Sequence, residues 1–145
     1  MIARREEMLE ELAEEHPGVK FRILALDLSD PQSFDKLDSL LAEEKPNIRL
    51  VINDAGRDCA GLFRNMSEKN IQSVISLNVL GTTLMCHCCL PYISKGGYQI
   101  IVGSEGGYLP LPMHAVYGAS KAYGRFLARA LREEERERGE AARSE

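Results

Sequence analysis

The sequence predicts an α/β fold in which helices cover a parallel sheet, and three observations predict it. Short, densely apolar runs of strand length alternate with longer segments of helical period. The turns between them are built from Gly, Pro, Asn and Asp. No repeat or low-complexity linker interrupts the order helix, strand, helix, strand, helix, strand, helix. The 145 residues are 44% hydrophobic and 28% charged, which suits one domain whose apolar core needs no disulfide or metal staple.

Ala3 to Glu15 sets Met8, Leu9 and Leu12 at helical spacing among acids, and His16-Pro17-Gly18 stops it, so a surface helix is expected. Val19 to Leu26 carries Val19, Phe21, Ile23, Leu24 and Leu26 between Pro17-Gly18 and Asp27, the pattern of a strand buried on both faces. In Ser29-Asp30-Pro31 a capping side chain precedes a proline at the first helical position, where its missing N–H costs nothing. The helix that follows should turn Phe34, Leu37, Leu40 and Leu41 inward. After a turn at Pro46, the run Ile48 to Ile52 predicts a second strand ending at Asn53-Asp54-Ala55-Gly56. Ser67 is a suitable cap for a long helix reaching Pro91, with apolar residues from Ile71 to Leu90 on more than one side. Gly96-Gly97 turns the chain into a third strand, Tyr98 to Val102. A Gly- and Pro-rich loop then leads to a last helix over roughly His114 to Arg136. The expected domain spans 3–138, with 139–145 a solvated tail.

Charge and cysteine usage narrow the function classes. Eighteen Lys and Arg are interleaved with 22 Asp and Glu for a net charge of -4, which favours neither nucleic acid nor an anionic membrane as partner. Arg4, Arg5, Glu6 and Glu7 follow Met1 in place of a signal core, and no apolar run approaches about 18 residues, so a cytoplasmic protein is expected. Cys86, Cys88 and Cys89 crowd one segment while Cys59 stands alone, which reads as reduced thiols rather than a disulfide framework. Cys86 and Cys89 form a Cys-x-x-Cys, but inside a predicted helix and without a second ligand pair. They are read as core or interface residues, with no metal site expected.

In parallel sheets, ligands sit beyond the carboxyl ends of the strands, here Asp27, Asn53 to Gly56 and Gly103 to Glu105. Tyr117 and Lys121 open the last helix four residues apart, on one face, and a cation beside a phenol favours its ionised form and hence proton transfer. Ser104 lies just past the third strand, where a hydroxyl donates to a substrate oxygen. Asn78 occupies an otherwise apolar position in the long helix. Its amide needs partners there, and either stabilises a local bend or holds an ordered water.

Asn53-Asp54-Ala55-Gly56, Leu77-Asn78-Val79, Ser104 after Ile100-Ile101-Val102, Tyr117 with Lys121, and Leu26-Asp27-Leu28-Ser29-Asp30 together resemble the short-chain dehydrogenase/reductase superfamily. The resemblance covers nearly the whole chain. It implies a Rossmann-like sheet, present here as three strands and four helices, and hydride transfer between a nicotinamide and a carbonyl or secondary alcohol. It assigns Tyr117 as general acid or base, Lys121 to the phenol and the nicotinamide ribose, Ser104 to the reacting oxygen, and Asn78 to a proton-relay water. Asp27 and the Leu28 main chain would meet the adenine, and Asn53, Ala55 and Gly56 the adenosine ribose. Arg4 stands where NADP-preferring members place a basic residue, so NADP is expected, with NAD the other possibility. The partners implied are a small carbonyl or alcohol substrate and a second copy, in a homodimer through the long and last helices. A non-catalytic interaction module derived from the family, or a truncated product without activity of its own, is the alternative reading.

The family has Asn where this chain has Asp54, whose carboxylate either repels phosphate or pairs with Arg57. The family also begins with a strand, a Gly-rich turn and a helix that binds pyrophosphate, and continues into a segment that covers the substrate. The chain is expected to be a fragment lacking both. In the strand order 3-2-1-4-5, the strands at Val19 to Leu26 and Ile48 to Ile52 would then be separated by two absent strands.

Overall fold

A computed structural model describes residues 1–141, with the backbone alone for 138–141. The strands are β1 (Ile2–Ala3), β2 (Leu24–Ala25), β3 (Ile48–Asn53) and β4 (Ile93–Ile101). The helices are α1 (Glu6–Glu15), α2 (Ser33–Glu44), α3 (Glu68–Ile75), α4 (Thr82–Cys89) and α5 (Ala115–Ala141). Between α3 and α4, Ser76–Gly81 is π-helical. β1 pairs with β2 and β3 with β4, both parallel, as two separate two-stranded ladders.

Several boundaries differ from the sequence expectation. The first helix starts at Glu6 because Ile2–Ala3 is extended and lies on Leu24–Ala25. The strand expected over Val19 to Leu26 is reduced to Leu24–Ala25. β1 offers only two residues to pair with, and Val19 stays 57% exposed. β4 starts at Ile93, with Gly96 at φ 76° inside an irregularity that sets Ile48 opposite Ile93 but Leu50 opposite Tyr98. The long helix is split by its π segment, so the described residues hold four strands and five helices rather than three and four. β1 also occupies one of the two strand positions expected to be absent. The last helix continues through Ala141, past the expected start of the tail; residues 142–145 lie outside the described residues.

Amphipathic packing explains the core. Phe34, Leu37 and Leu41 of α2 meet Met85, Cys88 and Cys89 of α4 over Leu26, Leu28 and Val51. Each such large side chain contributes about 1.5–3 kcal/mol by leaving water. Leu40, expected inward, is half-buried, and α1 buries no residue, as a surface helix should. Alternation along a strand sends Leu50 and Ile52 to the other face of the β3–β4 ladder, beside their partners Tyr98 and Ile100. That face is uncovered, with Ile52 58% and Tyr98 70% exposed.

Contrary to the expectation that no apolar run approaches such length, Glu68–Tyr92 is long and apolar enough to cross a membrane by length and composition. Here Val74, Asn78, Met85 and Cys86 are buried against the rest of the domain.

Candidate active site

Ser67 caps α3 by accepting from the Asn70 N–H at 3.3 Å, as the sequence suggests. One turn later the backbone widens into the π segment, and Asn78 is the reason it can be buried there. Its Oδ1 accepts from the Arg57 N–H at 2.9 Å, while Nδ2 donates to the Arg57 carbonyl at 2.9 Å and to Ser120 Oγ at 3.0 Å. Three bonds satisfy an amide that is only 5% exposed. Asn78 therefore sits at a local change of helical form and fixes the loop after β3, one of the two roles open to it from sequence. Ser120 Oγ in turn donates to the Tyr117 carbonyl at 2.6 Å, extending the network into α5.

Ser104 follows β4 and opens a tight turn, its Oγ accepting from the Gly106 N–H at 3.3 Å. That turn lies directly on the first turns of α5. A Cβ on Gly107 would stand 3.0 Å from the Lys121 carbonyl carbon, and one on Gly118 would stand 2.9 Å from the Gly106 oxygen. Glycine at both positions lets the backbones meet. Lys121 reaches back to β4, donating from Nζ to the Val102 carbonyl at 2.8 Å, and holds Nζ 5.9 Å from the centre of the Tyr117 ring. A Cβ on Gly56 would lie 3.4 Å from Asn78 Oδ1 and 3.6 Å from Lys121 Nζ. The structure thus brings Gly56, Asn78, Tyr117 and Lys121 together, with Ser104 on the adjoining turn.

The other predicted positions are more dispersed. Asn53 donates from Nδ2 to Cys86 Sγ at 3.5 Å, while Ala55 and Gly56 are exposed beyond β3. Asp54 forms no ion pair with Arg57 or any other described residue. Asp27 accepts from Ser29 Oγ at 2.6 Å and from the Ser29 N–H at 2.9 Å. Those bonds, the hydroxyl's foremost, hold its carboxyl below the usual carboxylate value against the opposing effect of burial, with a smaller contribution from Arg4. Arg4 Nη1 stands 3.9 Å from Asp27 Oδ2 with both side chains substantially exposed. Leu28 belongs to the core, and its carbonyl faces Gly81.

Sequence reasoning missed Ser120, whose signal is its i+3 placement after Tyr117 on the face that Asn78 shares. It also missed Asp58, which contacts His114 Nδ1 at 2.7 Å and so joins the loop after β3 to the entry of α5. The Gly61 N–H, donating to the Met113 carbonyl at 2.8 Å, makes a second link. No local pattern reveals that His114 has a partner 56 residues away.

Parallel ladders under a helical layer, with the turn after β4 that carries Ser104 packed on the helix that carries Tyr117 and Lys121, define a Rossmann-like α/β protein. The chain belongs to the short chain dehydrogenase family, which matches it over residues 1–141. It is 34% identical over 137 residues to a sulfoacetaldehyde reductase of Chromohalobacter salexigens, covering 91% of this chain and 54% of that one. It is 30% identical over 149 residues to a very-long-chain 3-oxoacyl-CoA reductase of Pyricularia oryzae, covering 96% and 44%. Among solved structures, a bulky-bulky ketone specific alcohol dehydrogenase from Comamonas testosteroni superposes with a TM-score of 0.82 at 26% identity, over 92% of this chain and 55% of that one. The chain spans about half the length of the relatives it matches.

The family uses a nicotinamide dinucleotide, and the donor set here fits its two ends. At one end, Gly56 brings the loop after β3 beside Asn78 Oδ1 and Lys121 Nζ. At the other end, Asp27 and Arg4 offer an acceptor and a cation at the end of the β1–β2 ladder. Such a pair suits a ribose hydroxyl or a ribose phosphate.

Proposed function

We propose that this chain carries the proton-transfer site of an NADP(H)-dependent oxidoreductase that interconverts a carbonyl and a secondary alcohol. The observation that carries the reading is the Asn78 network. One buried amide holds the loop after β3 through both backbone groups of Arg57 and holds α5 through Ser120, so Gly56, Tyr117 and Lys121 keep a common register.

The dinucleotide supplies the hydride when bound. Tyr117 Oη gives a proton to the carbonyl oxygen in reduction and takes it back in oxidation. Lys121 Nζ, anchored on the Val102 carbonyl, holds positive charge near the phenol and would also hold the nicotinamide ribose. Ser104 Oγ orients the substrate oxygen, and Asn78 supports the water that returns the proton to Tyr117. Arg4 selects a 2′-phosphate; the exposed position of its guanidinium, shared among the described residues only with the Asp27 carboxylate, supports NADP over NAD.

The same reading places the protein in the cytoplasm and pairs two copies through α3, α4 and α5. An apolar groove of about 470 Å³ between Phe63, Ile71, Ile75 and Val79 on one side and Val116 and Ala119 on the other supports that pairing.

The test is NADPH oxidation by the purified chain with a panel of ketones and aldehydes, beside Tyr117→Phe. Turnover that falls at least about 100-fold in the variant while the fold is retained is the expected result. Turnover equal in both proteins removes Tyr117 from the role, and absence of both turnover and NADPH binding removes the enzyme reading.

A further inference from the structure

Tyr117 is pinned on both sides to one loop. Three residues after it, Ser120 Oγ meets Asn78 Nδ2 at 3.0 Å, and Asn78 in turn holds both backbone groups of Arg57. Three residues before it, His114 Nδ1 stands 2.7 Å from Oδ2 of Asp58, the neighbour of Arg57 in the loop after β3. Residues three apart share a helix face, so the two tethers flank the phenol along the turns that carry it.

His114 stands just before α5 with its backbone fully used. Its N–H donates to the Leu111 carbonyl at 3.1 Å and its carbonyl accepts from the Gly118 N–H at 2.8 Å. The side chain reaches away from the helix end to Asp58, whose Oδ1 is itself fixed by the Cys59 N–H at 2.6 Å. A carboxylate only accepts, so the proton between Oδ2 and Nδ1 belongs to the imidazole. Of the ion pairs among the described residues this one is the least exposed on both sides, at 35% and 38%, so water competes for it least. Beside it Met113 lies at φ 66°, uncommon for a residue with a Cβ, and its carbonyl accepts from the Gly61 N–H at 2.8 Å. Such strain persists where the surroundings over-determine the backbone. From this clamped entry the His114 ring meets the Tyr117 ring edge-on, with centroids 6.4 Å apart and planes at 68°.

We propose that His114, steadied by Asp58, is a positioning residue for Tyr117, a role that rests on the proton-transfer reading of that tyrosine. The pair keeps the phenol where the substrate oxygen arrives, and so acts on turnover more than on binding. A misplacement of about 1 Å at a reacting group costs on the order of a hundredfold in rate.

The test compares Asp58→Ala, His114→Ala, the double substitution and Asp58→Asn with the native chain. Both side chains are partly exposed, so their removal leaves the core intact. Asn keeps both bonds, its amide oxygen accepting from the Cys59 N–H and its nitrogen donating to Nδ1 of the other imidazole tautomer, and should restore what Ala loses. Three-bond NMR couplings across the χ1 bond of Tyr117 report the place of the ring without any need for turnover. The expected result is one staggered rotamer in the native chain and in Asp58→Asn, and averaged couplings in both Ala variants at unchanged far-UV circular dichroism. In NADPH-dependent turnover each Ala variant should lower kcat at least about tenfold with KM within about threefold. The double variant should lower it no further, because the two side chains act as a unit. Native couplings in the Ala variants overturn the proposal. So does an Asp58→Asn chain that behaves like Asp58→Ala, which assigns the effect to charge and not to place. A native chain without turnover counts against the enzyme reading alone, and the couplings still decide the positioning.

Discussion

The side-chain amide nitrogen of Asn78 lies 3.0 Å from Ser120 Oγ, a contact between residues 42 apart in sequence that locks the π segment to the helix bearing Tyr117 and Lys121. Each partner has a different weight in that lock, and substitution separates them. Asn78→Ala strands the Arg57 N–H and C=O together with Ser120 Oγ. It should cost about 1–3 kcal/mol for buried groups left unpaired. Ser120→Ala leaves Asn78 its two bonds to Arg57 and should cost no more than about 1.5 kcal/mol. Urea unfolding of both variants checks the order; equal losses would show that the Arg57 bonds contribute nothing.

Gly81 closes the π segment against the chain just after β2. A Cβ there would overlap the Leu28 carbonyl oxygen, a clash only backbone movement relieves. The helix-propensity gain of Gly81→Ala, about 1 kcal/mol, is outweighed by displacing the Leu28 turn from the core. A net destabilisation of about 1–3 kcal/mol in thermal or urea unfolding is expected. Gly18→Ala, which meets nothing within 4 Å, is the control that should stay near neutral.

What the sequence made legible follows from how each signal is written. Tyr117 and Lys121 are four apart on one helix, so spacing alone places them together, and Ser104 needed only the end of an obvious strand. Ile2–Ala3 was invisible because two residues carry no period; it becomes a strand only through Leu24–Ala25, twenty-two residues on. Val19 to Ile23 looked like strand because it is apolar, yet ladder formation depends on a neighbour, and the single bond from the Met1 amino group to the Arg22 carbonyl at 2.6 Å makes no ladder. Asn78 was recognised as out of place in its helix. That its partners would be Arg57 and Ser120 depends on tertiary packing, which no window of sequence contains.

The four thiols divide by access. Burial, with Cys89 nearby, pushes the Cys86 thiol up to about 11, and burial with the Asp38 carboxyl pushes Cys88 up to about 12; Cys89 rises for the same reasons. Cys59 is half-exposed in the loop after β3. At pH 8 the Cys86 thiol is only about one part in a thousand thiolate. Iodoacetamide should therefore label Cys59 alone in the native chain and all four cysteines in urea, read by intact mass. Rapid native labelling at Cys86 or Cys88 would show that α4 is not packed as described.

Acid should weaken the fold partly through Asp27. The Ser29 hydroxyl is the largest cause of its lowered value, so the folded state holds the carboxylate more tightly than the unfolded chain does. The sign follows from linkage. A depressed folded value means a stabilising contribution that is complete above the unfolded value, near 3.8, and lost as pH falls through the folded value. Removing the hydroxyl in Ser29→Ala should cost about 0.5 kcal/mol at pH 7, the lower end for a hydrogen bond because Asp27 is partly exposed and solvent screens it. It should also move the Asp27 carboxyl upward in an NMR titration. The gap in stability between the native chain and Asp27→Asn should then narrow as pH is lowered from 7 toward 3. A gap that stays constant across that range would mean that Asp27 acts through its shape and not through its charge.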